Sequence, residues 1–478
     1  MSLCAKWNLK WVAVLMVFGA FGCVQYKDRP LSVQDELDYY MARTLDSNDL
    51  AVYMRQVMPF EPWPLVQWGV SQLTLAAFLY NPDLEVARAH WAVTDASVTS
   101  ASQRPNPAIG LAPGYNTTTG KSGIVSPWIL GIALDIPLET AHKRKIRTAQ
   151  AKCLSEAARL EIAQTAWSVR HQVREALLTL YAETQMTEIF YHQWQLQQDR
   201  VRFLTQCHDV GEVSGLVVSQ ARIEQEKSHA DWLKSGRNKD LAIAQLARAI
   251  GVSVASLDGI EFDFQCFEDK AVPELTAENI QCQALLNRAD LLAALAEYQA
   301  SQYALQQQIA MQYPDLQIGP GYEFDQSEDK WSLGVSLTLP VFNRNQAEIA
   351  VARADRQEAA ARFQAIQAEV LSQVSLAVMQ YRASVEALRS SQGLLKQMAV
   401  QTTQVENMVQ VGEALELDRL NKDLAYHVAL MSQLEARIAM HRVLSQIEDV
   451  MQMPTDLPGA DQNMHRLLTV NQGESIDG

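Results

Sequence analysis

Two segments of the chain, about 200 residues apart, repeat one another. Residues 106–115 and 128–137 recur as 313–324 and 331–340, and Pro107, Pro113, Gly114 and Tyr115 match Pro314, Pro320, Gly321 and Tyr322. Within each segment the side chains alternate. Trp331, Leu333, Val335, Leu337 and Leu339 oppose Ser332, Gly334, Ser336 and Thr338; Trp128, Leu130, Ile132, Leu134 and Ile136 oppose Ile129, Gly131, Ala133 and Asp135. Successive side chains of a strand point to opposite faces, so each segment has one large apolar face and one mostly small or polar face. Two structures use such strands: a transmembrane β-barrel with lipid outside and water inside, and a soluble sheet buried on one side.

Long runs without helix breakers follow each strand pair. Residues 138–209 contain neither Gly nor Pro, and 341–410 contain no Pro and the single glycine Gly393. One interior glycine costs a helix roughly 1 kcal/mol and is tolerated. At ~1.5 Å per residue, either run would be about 100 Å long as one helix. Ala350, Ala354, Ala361, Ala365 and Ala368 fall at coiled-coil-like spacings that permit close approach of neighbouring helices. A helix of that length needs a bundle or a tube, because it cannot pack inside a globule. Both runs end alike, in Val210-Gly211-Glu212 and Val411-Gly412-Glu413. Glycine there is the expected helix stop, and helical sequence resumes beyond it, so each half folds back as a hairpin.

The returning arm of the first half, 216–250, is about half as long as the outgoing one. A helix precedes each strand pair, opened by Asn81-Pro82-Asp83 and by Arg288-Ala289-Asp290, and would supply the missing length by stacking on the returning arm. Pro82 and the two Asp residues suit a first helical turn. The expected organisation is a signal peptide (1–22), an N-terminal helical segment (23–81) and a first repeat (82–250) with its strand pair at 107–136. A linker belt follows (251–288, with Phe262, Phe264, Phe267 and Pro273), then a second repeat (289–452) with its strand pair at 314–339, and a polar tail (453–478).

Lys6, Lys10, the apolar run 11–21 and the small residues Ala20 and Gly22 read as a secretory signal, too short for a spanning helix. Ala20-Phe21-Gly22-Cys23 resembles a bacterial lipobox with Cys23 as the acylated first residue, although Ala20 stands where Leu is usual; plain cleavage after Gly22 is the alternative. Val24 lacks the Asp associated with inner-membrane retention of lipoproteins, which leaves the outer membrane open. No other segment reaches the ~18 apolar residues that a membrane helix needs, so any further crossing falls to strands. Among Cys153, Cys207, Cys266 and Cys282, only the last two are near neighbours; a bridge and free thiols are both compatible with export. The balance of 40 basic against 55 acidic residues, with no Lys/Arg run, gives no nucleic-acid footprint. Zincin, nucleophile-elbow, P-loop and dinucleotide motifs are absent, and the nine His and fifteen Met are scattered. The expectation is therefore no enzyme, no cofactor and no metal site.

Several local motifs carry a family resemblance. Gly321-Tyr322 precedes a strand pair, Leu339-Pro340-Val341-Phe342-Asn343-Arg344-Asn345-Gln346 leads into the long helix, and Leu417-Asp418-Arg419-Leu420 follows the second Val-Gly-Glu. Together they resemble the TolC-type outer-membrane efflux channels over essentially the whole mature chain. Pro137-Leu138-Glu139-Thr140 with Lys143-Arg144 is similar to the branch serving cobalt–zinc–cadmium, or heavy-metal cation, exporters. The resemblance implies an α+β membrane protein with a two-fold internal repeat. Four transmembrane strands per chain would form a twelve-stranded barrel in a homotrimer, set in outer-membrane lipid and continued by a long α-helical periplasmic tunnel. Independently of the resemblance, four strands cannot close, and an open edge is not tolerated in lipid, so copies must combine. Trp128 and Trp331, starting their strands, would form an aromatic girdle with Tyr115 and Tyr322. Pro137 and Pro340 would mark the switch from strand to helix on the opposite side.

The resemblance also implies site residues and partners. Inward acidic residues near the second hairpin tip ring the closed tunnel mouth; Asp418 matches the first, while Asn421 departs from the pattern at the second. The other reading of Asp418 is a solvated helix cap. Val217 stands where Asp418 does in the first half, which assigns the pore constriction to the second hairpin. A periplasmic adaptor (membrane fusion) protein would dock at Gly211, Glu212, Gly412 and Glu413, and an inner-membrane pump of resistance-nodulation-division type would supply the energy. The implied function is a passive exit duct for heavy-metal cations. The alternatives are the outer-membrane component of a type I protein-secretion system and, in another class, a trimeric coiled-coil surface or structural protein.

Overall fold

The computed structural model describes residues 24–58, 62–117, 126–268, 277–325 and 328–453. The signal region, Cys23, Pro273 and the tail beyond 453 lie outside the described residues. The chain divides at Arg43 into two units. In the first, α1 (Val33–Met41) starts at Ser32, whose hydroxyl accepts the Asp35 N–H, and buries no residue.

The second unit opens with α2 (Asn48–Val57) and α3 (Val70–Tyr80), followed by α4 (Pro82–Ser102). Asn81 caps α4 by accepting the Asp83 N–H, and Pro82 occupies the first position, where its missing N–H costs nothing. Strands β1 (Ala108–Tyr115) and β2 (Trp128–Leu138) lead into α5 (Lys143–Asp209), which runs 67 residues unbroken. Its return is α6 (Gly215–Ile250), 36 residues long. A 3-10 turn at Val254–Leu257, the one-turn α7 (Gln265–Glu268) and α8 (Ala277–Asn287) fill the linker. The second half repeats the order with α9 (Ala289–Ala310), β3 (Leu316–Asp325), β4 (Glu328–Leu337), α10 (Gln346–Gln410, 65 residues) and α11 (Glu416–Met451, 36 residues). Gly393 leaves α10 unbroken.

The stacking expected from arm lengths occurs end to end, by the same device in both halves. Asn81 Nδ2 donates to Ala249 O at 2.9 Å, joining the end of α6 to the start of α4. The Ala289 N–H donates to Gln452 Oε1 at 2.7 Å, joining the end of α11 to the start of α9. Each returning helix ends in a left-handed residue, Gly251 (φ +90°) or Gln452 (φ +50°). Glycine is required at 251, because a Cβ there would lie 2.6 Å from Tyr80 O. The compound arms pack sideways: α5 against α4, α6, α9 and α11, and α10 against α9 and α11.

Two apolar cores hold these layers. One joins α2 and α3 to α5, α6 and the linker through Leu50, Leu73, Phe78, Tyr181, Ile250 and Phe267. The other lies in the second half, around Ile280, Val374, Tyr381 and Ile447. Where α5 crosses α11, a charged group is buried: Arg170 and Arg174 reach Glu448 Oε2 at 3.4 and 3.0 Å, and all three are under 5 % exposed. His441 is buried nearby, edge-on to Phe267.

Several boundaries differ from the sequence expectation. β2 continues through Pro137, which pairs with Gln317, so the switch to helix comes at Thr140–His142 rather than at the proline. β4 begins three residues before Trp331 and stops two before Leu339. Lys330 pairs with Glu323 and Asp329 with Phe324, so strand pairing extends into the polar residues ahead of the apolar face. Among its described residues the linker carries three short helical pieces, and α8 is buried on Ile280 and Ala284. Cys282 is an exposed free thiol, so no Cys266–Cys282 bridge is formed.

Candidate functional site: two sheet faces and two hairpin tips

The four strands form one antiparallel sheet in the order β1-β2-β3-β4. The register sorts both repeats' side chains onto common faces. Leu111, Ile132, Tyr322 and Trp331 make one row across all four strands; Ile136, Ile318 and Val335 make a second, and Leu138, Leu316 and Leu337 a third. On the other face Gly110, Ala133, Gly321 and Ser332 align, as do Ala112, Gly131, Glu323 and Lys330, and Pro137, Gln317 and Ser336. The apolar face is uncovered by this chain: Trp331 is 81 % exposed, Leu333 70 % and Val335 61 %. Tyr115 pairs with Trp128 and Tyr322 with Trp331, each pair with ring centroids 5.0 Å apart. The four residues expected as a girdle are thus brought together as two matching pairs.

Below the sheet, the residues of the Pro-Leu-Glu-Thr motif make a clasp between the repeats. Lys143 Nζ, nearly buried at the start of α5, donates to Tyr313 O and Asp315 Oδ1, both at 2.7 Å. Thr140 donates its N–H to Asp315 Oδ1 and its hydroxyl to Pro314 O. Burial alone would raise the Asp315 carboxyl, but the bonds from Lys143 and Thr140 outweigh it and hold the group below its usual range. Glu139 binds Arg147, which also donates to Ala101 O. Sequence reasoning used this motif only as a resemblance; its signal is a Lys and a Thr three residues apart at a strand-to-helix junction. The second half builds its junction differently, with Asn345 Nδ2 donating to Gln308 O.

At the opposite end, both tips close with the same bonds. Gly211 donates to His208 O and Glu212 to Cys207 O; Gly412 donates to Val409 O and Glu413 to Met408 O. These are Schellman closures, and they need the left-handed backbone that Gly211 (φ +82°) and Gly412 (φ +79°) supply. Glu212 and Glu413 are exposed beside them. Leu417 packs into the first tip's cluster of Leu204, Val218 and Ala221, so the two tips are neighbours.

Asp418 is exposed on the first turn of α11, and its Oδ2 accepts the Leu415 N–H at 3.1 Å. The Leu415 side chain has no acceptor, and the Asp418 N–H goes to Leu415 O instead, so this is half of a capping box. Asn421 is exposed one turn further on. Arg419 lies between Glu416 and Asp423 and bonds to both. The Arg419 hydrogen bond lowers the Glu416 carboxyl, whereas burial raises that of Asp423, helped by Glu406 and Glu416. The second tip is therefore the acidic one, with Glu406, Glu416, Asp418 and Asp423 around one paired arginine. In the first half Val217 occupies the place of Asp418.

Among the described residues no helix is long and apolar enough to cross a membrane. The comparisons with known proteins agree with this architecture. The chain is similar to the cobalt-zinc-cadmium resistance protein CzcC of Cupriavidus metallidurans, 22 % identical over 243 residues, or 47 % of this chain. The match spans about half (54 %) of that relative's length. Among solved structures it shares its fold with the outer-membrane channel OprN (TM-score 0.67, 17 % identity, 90 % of this chain and 99 % of that one). It shares it equally with the CmeC outer-membrane channel of Campylobacter jejuni (TM-score 0.66, 14 % identity, 93 % and 97 %). The family model described as outer membrane efflux protein matches residues 75–252 and 281–451, the two repeats, and the chain belongs to that family.

Proposed function

We propose that three copies of this chain close a twelve-stranded barrel in the outer membrane and act as a passive exit duct from the periplasm. The observation that carries the reading is the sheet: one continuous apolar face in register across both repeats, ending in two edge strands, β1 and β4. Edges with unpaired backbone groups are not tolerated in lipid, and an exposed apolar face of this extent needs a cover. Strands of 8 to 11 residues suit the hydrocarbon thickness, and the small-polar face would line water. The helices α5 and α10 would continue the duct as a periplasmic tunnel. No catalytic step is assigned; energy comes from an inner-membrane pump of resistance-nodulation-division type through an adaptor docking at Gly211, Glu212, Gly412 and Glu413. The likeness to a cobalt-zinc-cadmium resistance protein supports heavy-metal cations as cargo. Light scattering of the detergent-purified protein should give a trimer. A monomer that keeps its strand signal would overturn the architecture.

Asp418 would form the tunnel constriction with its two symmetry mates, Asn421 lying one turn above. Three carboxylates on one axis in a narrow mouth attract cations and repel anions. In planar bilayers under a salt gradient, Asp418→Ala should shift the reversal potential toward lower cation preference and raise the open probability. The Leu415 N–H bond gives the same side chain a capping role, worth roughly 1 kcal/mol of helix stability. Recordings identical to wild type would leave the cap as its whole function.

A further inference from the structure

A second group of side chains lies between the hairpins, away from tip and sheet. α5 carries Tyr191, His192 and Trp194, α6 carries His229 and Trp232, and α11 carries Tyr426 and His427. Most of these rings pack on one another, Trp194 against Trp232 at 5.1 Å for example, and so account for themselves as apolar packing. The two histidines between α5 and α11 do not. The His192 and His427 rings have centroids 5.9 Å apart and planes inclined by 26°. His192 is exposed, whereas His427 is half-buried, and its Nδ1 is buried with no hydrogen-bond partner among the described residues. A buried ring nitrogen left unsatisfied calls for a water or an ion.

We propose that His192 and His427 together bind one divalent late first-row transition-metal ion, copper(II) most tightly, tying the outgoing arm of the first hairpin to the returning arm of the second. The rings are stacked, and their spacing permits this once one of them turns. Imidazole nitrogens bind such ions at ~2.0–2.1 Å, which puts the centroids of two rings sharing one ion roughly 5–6 Å apart. The exposed His192 ring can turn about its own side-chain bonds to direct a nitrogen at the ion. Imidazole suits copper, nickel and zinc, in an order of affinity that peaks at copper. Two protein ligands leave the remaining positions to water, so the ion is exchangeable rather than a resident cofactor. Its presence does not depend on what passes through the duct, and a failed conductance measurement would leave it standing.

The test uses tag-free, full mature protein in detergent. Copper(II) is titrated against tryptophan fluorescence, since Trp194 and Trp232 both neighbour Tyr191, which touches His192; zinc binding is followed by calorimetry. We expect saturable quenching at one ion per chain, reversed by a chelator. His192→Gln and His427→Gln should each weaken binding at least about tenfold, a ligand mattering no less than the partners that orient it. His90→Gln, at an exposed histidine on α4, should bind as wild type does. His192 is exposed, so its variant keeps the fold, and the helical circular dichroism verifies this. Wild-type affinity in either ligand variant, or an equal loss in His90→Gln, would overturn the site.

Discussion

Glu448→Ala is expected to destabilise the folded chain by about 3–5 kcal/mol, because it removes the carboxylate that two buried guanidinium groups share. Arg170 and Arg174 are each under 5 % exposed and both point at the same Glu448 oxygen. Removing the carboxylate leaves two like charges where water cannot screen them. Burial and Arg174 push the neighbouring His441 imidazole down to about 4, so it adds no further charge to the group at neutral pH. The loss should appear as a lower denaturant midpoint of the helical signal in detergent. Glu435→Ala, on the exposed side of the same helix, should stay within about 0.5 kcal/mol. A compound variant with Glu448, Arg170 and Arg174 all replaced by Leu or Met should recover much of the loss, since apolar side chains of similar volume often serve as well as a buried ion group. Equal midpoints for wild type and Glu448→Ala would mean that the site is wetter than the structure places it.

That cluster also marks where the sequence stops being legible. The long elements could be read directly, because a strand writes its period into the residue order and an unbroken helix shows itself by the absence of Gly and Pro. The run 138–209 becomes α5 with only its first turn trimmed, and both Val-Gly-Glu tips are left-handed closures. The end-to-end joints left no local trace, since Asn81 meets Ala249 and Ala289 meets Gln452 only after folding. Glu448 in a helical sequence reads as one more solvated acid; only the crossing of α5 and α11 buries it. The cap at Asp418 was legible as one of two readings, although Leu415 stands where a box normally opens with Ser, Thr, Asp or Asn. His192 and His427 are likewise invisible as a pair until two distant helices are laid side by side.

Arginine placed on the two faces of β4 should separate by a few kcal/mol. Val335 lies in the apolar row with Ile136 and Ile318, and Ser336 in the opposite row with Pro137 and Gln317. If the apolar face meets lipid, Val335→Arg puts a guanidinium into hydrocarbon at a cost of about 2–4 kcal/mol near mid-membrane, less toward the interface. Ser336→Arg puts the same group one residue away but into the water-filled lumen, where solvation is retained. The side chains have identical size and strand propensity, so the difference isolates the face. Trimer yield in outer-membrane fractions should fall sharply for Val335→Arg and hold for Ser336→Arg, whose single-channel current should shrink as three arginines narrow the bore. A soluble sheet buried on its apolar side would also reject Val335→Arg, but it would give Ser336→Arg no conductance to alter. The current recorded from the tolerated variant therefore decides between a barrel wall and an ordinary sheet. Good yield for Val335→Arg with loss of Ser336→Arg would show that the faces are the other way round.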